Sequence, residues 1–235
     1  MAVSILNGFA IGFLLFVLAV GLSLVFGTMD VLNLAHGALF LAGAYVASVL
    51  SGDVPSWGGF LGALGLAAVL GLVAGGVLAV LTGPLRRRSH LDQALLTLGV
   101  AFVVAELLVI RFGDDPLRVL PPPGLDGSTA LLGATYPTYR LALIGVGAAL
   151  AVAVYLVAER TRVGALVRAT VADRDMVAAL GVDHRLVTAA VFAVGAMLAT
   201  VAGVLGGPIY GANVGLDVVV LILALIVVVI GGLGS

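Results

Sequence analysis

The sequence predicts an all-α, polytopic bundle of transmembrane helices. Acidic and basic residues are absent from 3–26, 61–84 and 186–216. Each of these runs exceeds the roughly 20 apolar residues that cross a hydrocarbon core of about 30 Å. Hydrophobic residues make up 62% of the chain and charged residues only 10%, so we expect the bilayer to be its main solvent. Such segments use up the length of 235 residues, which predicts a single transmembrane domain over residues 1–235.

Seven apolar segments make up this bundle, and each is a predicted span. The first has no basic residue before it and is too long for the apolar part of a cleavable signal peptide. The 33 glycines of the chain allow helix backbones to pack closely in a membrane. The last segment ends in a glycine-rich stretch with no polar tail, so we expect a domain truncated at its C-terminus. The segments are 3–26, 31–50, 58–83, 92–112, 138–158, 186–206 and 216–232.

Arginine alone sets the expected orientation, because the chain contains no lysine. Two arginine-rich stretches, 86–88 and 160–185, are separated by two predicted spans and can therefore lie on the same side. Short arginine-rich loops stay in the cytoplasm. Between them, 113–137 contains several aspartates and three consecutive prolines, which predicts a stiff, non-helical loop on the outside. Counting back three spans from Arg86 places the N-terminus outside as well.

A polar cluster opens the second segment. Asn33 and His36 are three residues apart and so share a helix face, and Gly37 follows them directly. Polar side chains inside a span face protein or water in preference to lipid. These residues could line a substrate pathway at a discontinuous helix, with Gly37 breaking or narrowing that helix. Alternatively, they serve only to hydrogen-bond neighbouring helices.

A second polar stretch, 159–185, is long for a loop in such a compact chain. Within it, 168–181 is predicted to form one short helix with Asp173 as the N-cap and Gly181 as the residue that ends it. Such a helix is amphipathic and too short to be stable alone. It either inserts into a groove of a cytosolic partner or lies on its own protein at the membrane surface. The predicted docking residues are Arg168, Ala172, Asp173, Met176, Ala178, Ala179, Leu180 and Gly181.

Patterns for catalysis and metal binding are missing from the sequence. It contains no Walker loop, GxSxG or HExxH motif and no cysteine, and its three histidines are far apart. The net charge of −1 offers nucleic acid no basic surface. Glu106 stands alone inside the fourth segment, either as a paired structural carboxylate or as a proton or cation site. We therefore expect no enzyme, bound cofactor or metal site, and active transport would need ATP hydrolysis on another subunit.

Three stretches, taken together and in order, resemble the bacterial branched-chain amino acid ABC transporter permeases of the LivH type. The first runs from Asn33-Leu34-Ala35-His36-Gly37 to Tyr45, and the second is the stretch 168–181. The third comprises Gly207-Pro208-Ile209-Tyr210, Gly215-Leu216-Asp217 and the terminal glycine-rich motif. The resemblance implies that the second stretch is the coupling segment that docks on an ATPase. It also implies a packing or gating role for Gly231, Gly232 and Gly234.

The same resemblance implies a subunit of the bacterial inner membrane that works by alternating access. Its partners would be cytosolic ATPase subunits that bind the ATP, a second permease subunit of the LivM type and a periplasmic substrate-binding protein. The family usually continues past the glycine-rich motif with one more span. Because the family includes permeases for urea and short amides, these substrates are an alternative. An ATP-independent secondary transporter or channel is a second alternative, which would not require a coupling helix.

Overall fold

The computed structural model describes residues 1–29, 32–52, 54–87, 89–131 and 134–232. Within these ranges the chain forms nine α-helices, a 3₁₀ turn over Gly83–Arg87 and one β-hairpin. The hairpin pairs β1 (Ser128–Leu131) with β2 (Ala134–Pro137) in antiparallel fashion, with Ser128 opposite Pro137. The helices are α1 (Ala2–Met29), α2 (His36–Ser51), α3 (Trp57–Thr82), α4 (His90–Phe112), α5 (Thr138–Arg160), α6 (Arg162–Ala172), α7 (Arg174–Ala179), α8 (His184–Tyr210) and α9 (Leu216–Gly231).

This architecture confirms the prediction of a helical, polytopic bundle, since each of the seven apolar segments forms a helix. Five of them, α1, α3, α4, α5 and α8, are long and apolar enough to cross a membrane. The other two, α2 and α9, are apolar but contain only 16 residues each. A helix of that length extends about 24 Å at 1.5 Å per residue, which is less than the hydrocarbon core of about 30 Å.

The centre of the bundle is α8, which packs on α1, α2 and α3. The backbones of these helices approach closely because small residues lie at the points of contact. A Cβ atom on Gly203 would lie 2.0 Å from the Phe40 carbonyl oxygen, and one on Gly43 would lie 2.0 Å from the Thr200 carbonyl oxygen. The Thr200 hydroxyl also donates to the Ala67 carbonyl of α3 at 2.7 Å. Close backbone packing and interhelical hydrogen bonds hold helices together in lipid, which accounts for glycine at these positions.

Two long helices lie at the periphery of the bundle. α4 packs mainly on α2, and α5 packs mainly on α1. Their outward faces are apolar and exposed, as at Phe102 of α4 (63%) and Val152 of α5 (57%). Such faces meet either lipid or another protein.

One end of the bundle brings the segment 113–137 together with the starts of α1, α3 and α5. Arg140 donates to the side-chain oxygen of Asn7, and the Trp57 indole N–H donates to the Pro123 carbonyl at 3.1 Å. We call this the hairpin end, and the opposite end, which carries α6 and α7, the arginine end. The predicted loop is non-helical, but the sequence pattern did not reveal its strand pairing. Arg88 of the first arginine cluster lies outside the described residues.

Candidate functional site

The predicted pathway residues Asn33 and His36 lie in the interior of the bundle and are fully buried. Their depth follows from Thr97, which lies seven residues after His90, the first residue of α4. The Thr97 hydroxyl accepts a hydrogen bond from the Leu34 N–H at 3.1 Å. Seven residues of helix correspond to about 10 Å. The start of α2 is therefore well below the arginine end and not at the surface of the bundle.

Local hydrogen bonds explain why the chain turns into α2 at this point. The Asn33 side-chain oxygen accepts from the Ala35 N–H at 3.1 Å, and the Asn33 carbonyl accepts from the His36 N–H at 3.2 Å. An asparagine side chain that bonds two residues ahead mimics a backbone turn. The residue before the helix, Ala35, has no side chain that could cap it. Asn33 thus shapes the turn that precedes α2, but its side chain does not cap the N–H groups of the helix itself.

His36 is held against the middle of α1. Its Nε2–H donates to the Leu18 carbonyl at 2.9 Å, and a Cβ atom on Gly21 would lie 3.0 Å from its Cε1 atom. Because a carbonyl can only accept, the proton is on Nε2, and Nδ1 of the neutral ring is an acceptor. Among the described residues, His36 Nδ1 and Asn33 Nδ2 are buried without a hydrogen-bond partner. Unsatisfied buried polar atoms are costly and often mark functional sites.

Gly37 brings α2 into contact with the start of α9. A Cβ atom on Gly37 would lie 2.2 Å from the Asp217 carbonyl oxygen and 2.9 Å from the Leu221 Cβ atom. Any larger residue would push the two helices apart. The first turns of the two short helices of the bundle therefore cross inside it, with glycine at the point of closest approach.

The crossing places two helix N-termini and one carboxylate in the same buried region. Neither α2 nor α9 has a side-chain cap at its N-terminus. Asp217 lies in the first turn of α9 and is only 9% exposed. The N-terminus of a helix is the positive end of its dipole and therefore favours anions, whereas a carboxylate favours cations. This site can therefore offer complementary charge to both ends of a small zwitterion.

Two of these residues, Thr97 and Asp217, were not among the predicted site residues. Thr97 has no distinguishing pattern around it, since a threonine in an apolar helix is common. Asp217 did have a signal: it is an acidic residue that directly precedes the apolar run 218–230 and follows Gly215. An ionisable residue at such a place costs free energy unless it has a function or a partner.

The predicted single helix over 168–181 is wrong in one respect, because the structure divides it. Arg168 and Ala172 belong to α6, and a separate six-residue helix, α7, begins after Asp173. Asp173 has an extended backbone, with φ −155° and ψ 101°, and its side chain accepts from the Met176 N–H at 2.9 Å. An N-cap residue is not itself helical. The predicted cap is thus correct, and it is the reason that the helix cannot continue through Asp173.

The end of α7 agrees with the prediction for Gly181, which has a φ of +82°. The Gly181 N–H donates to the Ala178 carbonyl at 3.0 Å, and the Val182 N–H donates to the Val177 carbonyl at 3.3 Å. These two bonds form a Schellman motif, in which glycine adopts the left-handed conformation most easily. The motif turns the chain sharply towards α8.

The surface of α7 is divided between a buried and an exposed side. Val177 is 4% exposed and attaches the helix to the bundle. Met176 and Leu180 are 60% and 76% exposed, and Ala178 and Ala179 are exposed beside them. Nearby, Arg168 forms an ion pair with Glu159 at 3.4 Å and also donates to the Ala158 carbonyl. The result is an apolar surface that no described part of the chain covers, held in place by α6.

The glycines of the terminal motif are only partly within the described residues. Gly231 ends α9, and Gly232 follows with a φ of +93°. A Cβ atom on Gly231 would meet none of the described residues outside its own helix turn within 4 Å. Gly234 lies outside the described residues, so the predicted role of the motif in packing or gating stays a prediction.

Comparison with known proteins agrees with this architecture of apolar helices around a buried polar site. The family described as branched-chain amino acid transport system / permease component matches residues 4–235. The chain belongs to this family of transport permeases.

Individual relatives are similar over almost the whole chain. It is 28% identical to the high-affinity branched-chain amino acid transport system permease protein LivH of Salmonella typhimurium, over 97% of this chain and 78% of that protein. It is 26% identical to the corresponding permease BraD of Pseudomonas aeruginosa, over 98% of this chain and 79% of the relative. It is 27% identical to LivH of Escherichia coli K12, over 97% of this chain and 78% of that protein. No solved structure matches the chain significantly.

Proposed function

We propose that this chain is the membrane-spanning subunit of an ATP-driven importer for branched-chain amino acids. Family membership and the names of the relatives support this substrate class. The observation that carries the proposal is the buried crossing of α2 and α9, where Gly37 contacts the Asp217 backbone beside the unpartnered atoms of Asn33 and His36. The chain is a transport subunit in this proposal, and ATP is hydrolysed elsewhere.

The charges at the crossing favour an amino acid over urea or a short amide. An amino acid carries a carboxylate and an ammonium group a few ångströms apart. The N-terminus of α2 would attract the carboxylate, as half-helices do in other transporters. The Asp217 carboxylate would accept from the ammonium group. A neutral amide needs neither charge, so a buried aspartate would only add a desolvation cost.

In the proposed mechanism the site must open, because the contacts described above leave no room at Gly37. Separation of α2 from α9 would break the close approach at Gly37 and free His36 from Leu18. Hydrogen bonds from the substrate to the site would then replace those that the protein loses on opening. Alternating access requires that each state binds substrate or partner differently, since a ligand shifts a conformational equilibrium only through differential affinity.

The energy would enter through α7. We place α6 and α7 in the cytoplasm on the basis of the arginine distribution, with the N-terminus of the chain outside the inner membrane. Exposed Met176 and Leu180 would then face the cytosol as an uncovered apolar surface, which suits insertion into a groove of an ATPase. A second permease subunit and a periplasmic substrate-binding protein complete the proposed assembly. A carrier independent of ATP would have no need for such a surface.

The substrate proposal is tested by uptake of radiolabelled leucine and urea into cells, normalised to the amount of inserted protein. Asp217→Asn keeps the size of the side chain and removes its charge. A charge-assisted hydrogen bond contributes about 1.5–3 kcal/mol, so we expect leucine uptake to fall roughly 10-fold to 100-fold. Asp126→Asn, in the exposed loop at the hairpin end, is the matched control and should leave uptake unchanged. Normal leucine uptake by Asp217→Asn, or urea uptake by the unmodified protein, would contradict the proposal.

His36→Leu separates the two interpretations of the polar cluster. If His36 only joins α2 to α1, the variant should lower the amount of inserted protein and leave uptake per molecule unchanged. If it lines the pathway, uptake per molecule should fall more than the amount of inserted protein. We expect the second result, because Nδ1 is buried without a partner in this conformation.

A further inference from the structure

The outward side of α4 is an exposed apolar stripe interrupted by one carboxylate. α4 packs mainly on α2, so the described residues leave most of its surface uncovered. Glu106 is exposed in the middle of the stripe, between Val103 and Ile110. The large apolar residues of the stripe are Leu91, Leu95, Phe102, Val103, Leu107 and Ile110.

Glu106 lies inside the predicted membrane span and not at its end. It lies six residues before Phe112, the last residue of α4, which is about 9 Å at 1.5 Å per residue. A glutamate side chain is too short to extend that far along the helix. Ionisable residues at this depth usually face the interior of a bundle and pair with another group. Glu106 instead faces away from its own bundle.

The residues that the structure describes do not supply a cation for Glu106. Within the described ranges, no arginine or histidine lies within ion-pair distance of its carboxylate. Arg111 is five residues further along, which is not on the same helix face, and its guanidinium lies over the Phe112 ring, 5.2 Å from the centroid. Glu106 opens onto a shallow depression formed by Phe102, Val109 and Val214 with other residues of α4. The depression is otherwise apolar.

We propose that this face is the interface with a second permease subunit of different sequence, which places a basic or hydrogen-bond-donating side chain against Glu106. This inference rests on the proposed function, because it assumes a permease pair. Lipid does not suit the face, since it offers no partner for a carboxylate in the hydrocarbon region. A large apolar surface with one central charged group fits a protein partner with one complementary group.

A second copy of this chain does not suit the face either. Around a two-fold axis along the membrane normal, α4 would pack on α4 and residues at equal depth would meet. Residues close to that axis meet their own copies, so Glu106, at the middle of the stripe, would lie close to another Glu106, and like charges at close range repel. Arg111 lies about 7.5 Å further along the helix and is held over Phe112. The complementary group must therefore come from a different chain.

The test is site-specific photo-crosslinking in native membranes. Benzoylphenylalanine at Phe102 probes the stripe, and the same residue at Val152 probes the exposed face of α5 as a matched control. We expect Phe102 to form one adduct with a polytopic membrane protein of different sequence, joined at a helix that carries a basic or donor residue. We expect Val152 not to form that adduct. An adduct of twice the chain mass, lipid adducts alone, or the same adduct from Val152 would overturn the proposal.

Substitution of Glu106 identifies its part in the contact. Removing one member of a buried charge pair is costly, so Glu106→Leu should lower the adduct yield from Phe102 roughly tenfold or more. Glu106→Lys should abolish it, and replacing the basic residue found in the partner by glutamate should restore it. An undiminished adduct in Glu106→Leu would show that Glu106 has no complementary group in the partner and would overturn its part in the interface.

These outcomes are independent of energy coupling. The adduct is measured by mass and not by uptake, so it should persist in a variant that fails to bind the ATPase. Failure of the coupling proposal would leave the interface intact, and lipid adducts alone would overturn the interface without affecting the coupling proposal.

Discussion

The hydroxyl of Tyr139 donates a hydrogen bond to the backbone carbonyl of Leu205, 2.7 Å away. Leu205 precedes Pro208, the proline inside α8, by three residues. Proline has no N–H and disturbs the carbonyls of the preceding turn. Tyr139 thus supports α8 at the turn where its own hydrogen bonding is weakest. The same bond fastens the start of the peripheral α5 to the central helix.

Tyr139→Phe is expected to lower the free energy of unfolding by about 0.5–1.5 kcal/mol, because it removes one buried hydrogen bond. The ring would remain in edge-on contact with Phe60, whose centroid is 6.4 Å away, so little packing is lost. The measurement is thermal unfolding of the detergent-solubilised protein, followed by the fluorescence of Trp57. Tyr155→Phe, on the exposed side of α5, is the matched control and should unfold like the unmodified protein. Equal unfolding temperatures for both variants would refute the role of this bond.

Gly43→Ala tests the close packing of α2 on α8. The added Cβ atom would lie 2.0 Å from the Thr200 carbonyl oxygen, so the helices must separate. Overpacking of this kind costs about 1–3 kcal/mol, and we expect a lower unfolding temperature and less inserted protein. Gly62→Ala in α3 is the control, because its Cβ atom would meet nothing within 4 Å. That control should be neutral or stabilising, and equal losses in both variants would contradict the packing argument.

The orientation is testable because the chain has no cysteine, so single cysteines give a clean labelling pattern. Ala172 at the end of α6 and Ser128 in β1 are both exposed. We expect Ser128→Cys to react with a membrane-impermeant thiol reagent on intact cells. Ala172→Cys should react only after the membrane is opened, since arginine-rich loops stay inside. The reverse pattern would invert the orientation and remove α7 from the reach of a cytosolic partner.

Ala179→Arg should disrupt docking of the ATPase. Ala179 is small and exposed beside Leu180, and a long charged side chain there would overfill a groove and bring an unpaired charge into it. We expect recovery of the ATPase with the solubilised permease to fall at least roughly tenfold, as for a buried unpaired charge at an interface. ATP-driven uptake should fall with it.

Ala130→Arg, at an exposed position of β1 on the hairpin end, is the control for this variant. It should insert and recover the ATPase normally. If Ala179→Arg also recovers the ATPase normally and keeps its uptake, the coupling role of α7 is wrong and a carrier independent of ATP becomes the better explanation.

Some features of the candidate site were predictable from the sequence and others were not. The cap at Asp173 and the left-handed Gly181 were predictable, because each depends on a few neighbouring residues. The division of 168–181 into α6 and α7 follows from the same cap. It was missed because the helical pattern of apolar residues continues on both sides of Asp173. The close approach of Gly37 to Asp217 was not predictable, because these residues are distant in the sequence and no local pattern connects them.

The sequence by itself determined that the chain forms seven apolar helices, where they begin and end to within a few residues, and where its polar clusters lie. These features depend on hydropathy, charge and caps, which act within one turn or one span. Only the tertiary structure decided that α2 begins as late as His36, that α2 and α9 approach each other at Gly37, that α8 is central and that Glu106 faces outwards. In lipid, helix packing depends on the shapes of small residues and on single hydrogen bonds. Such contacts are made between segments and leave no trace in the pattern of either segment alone.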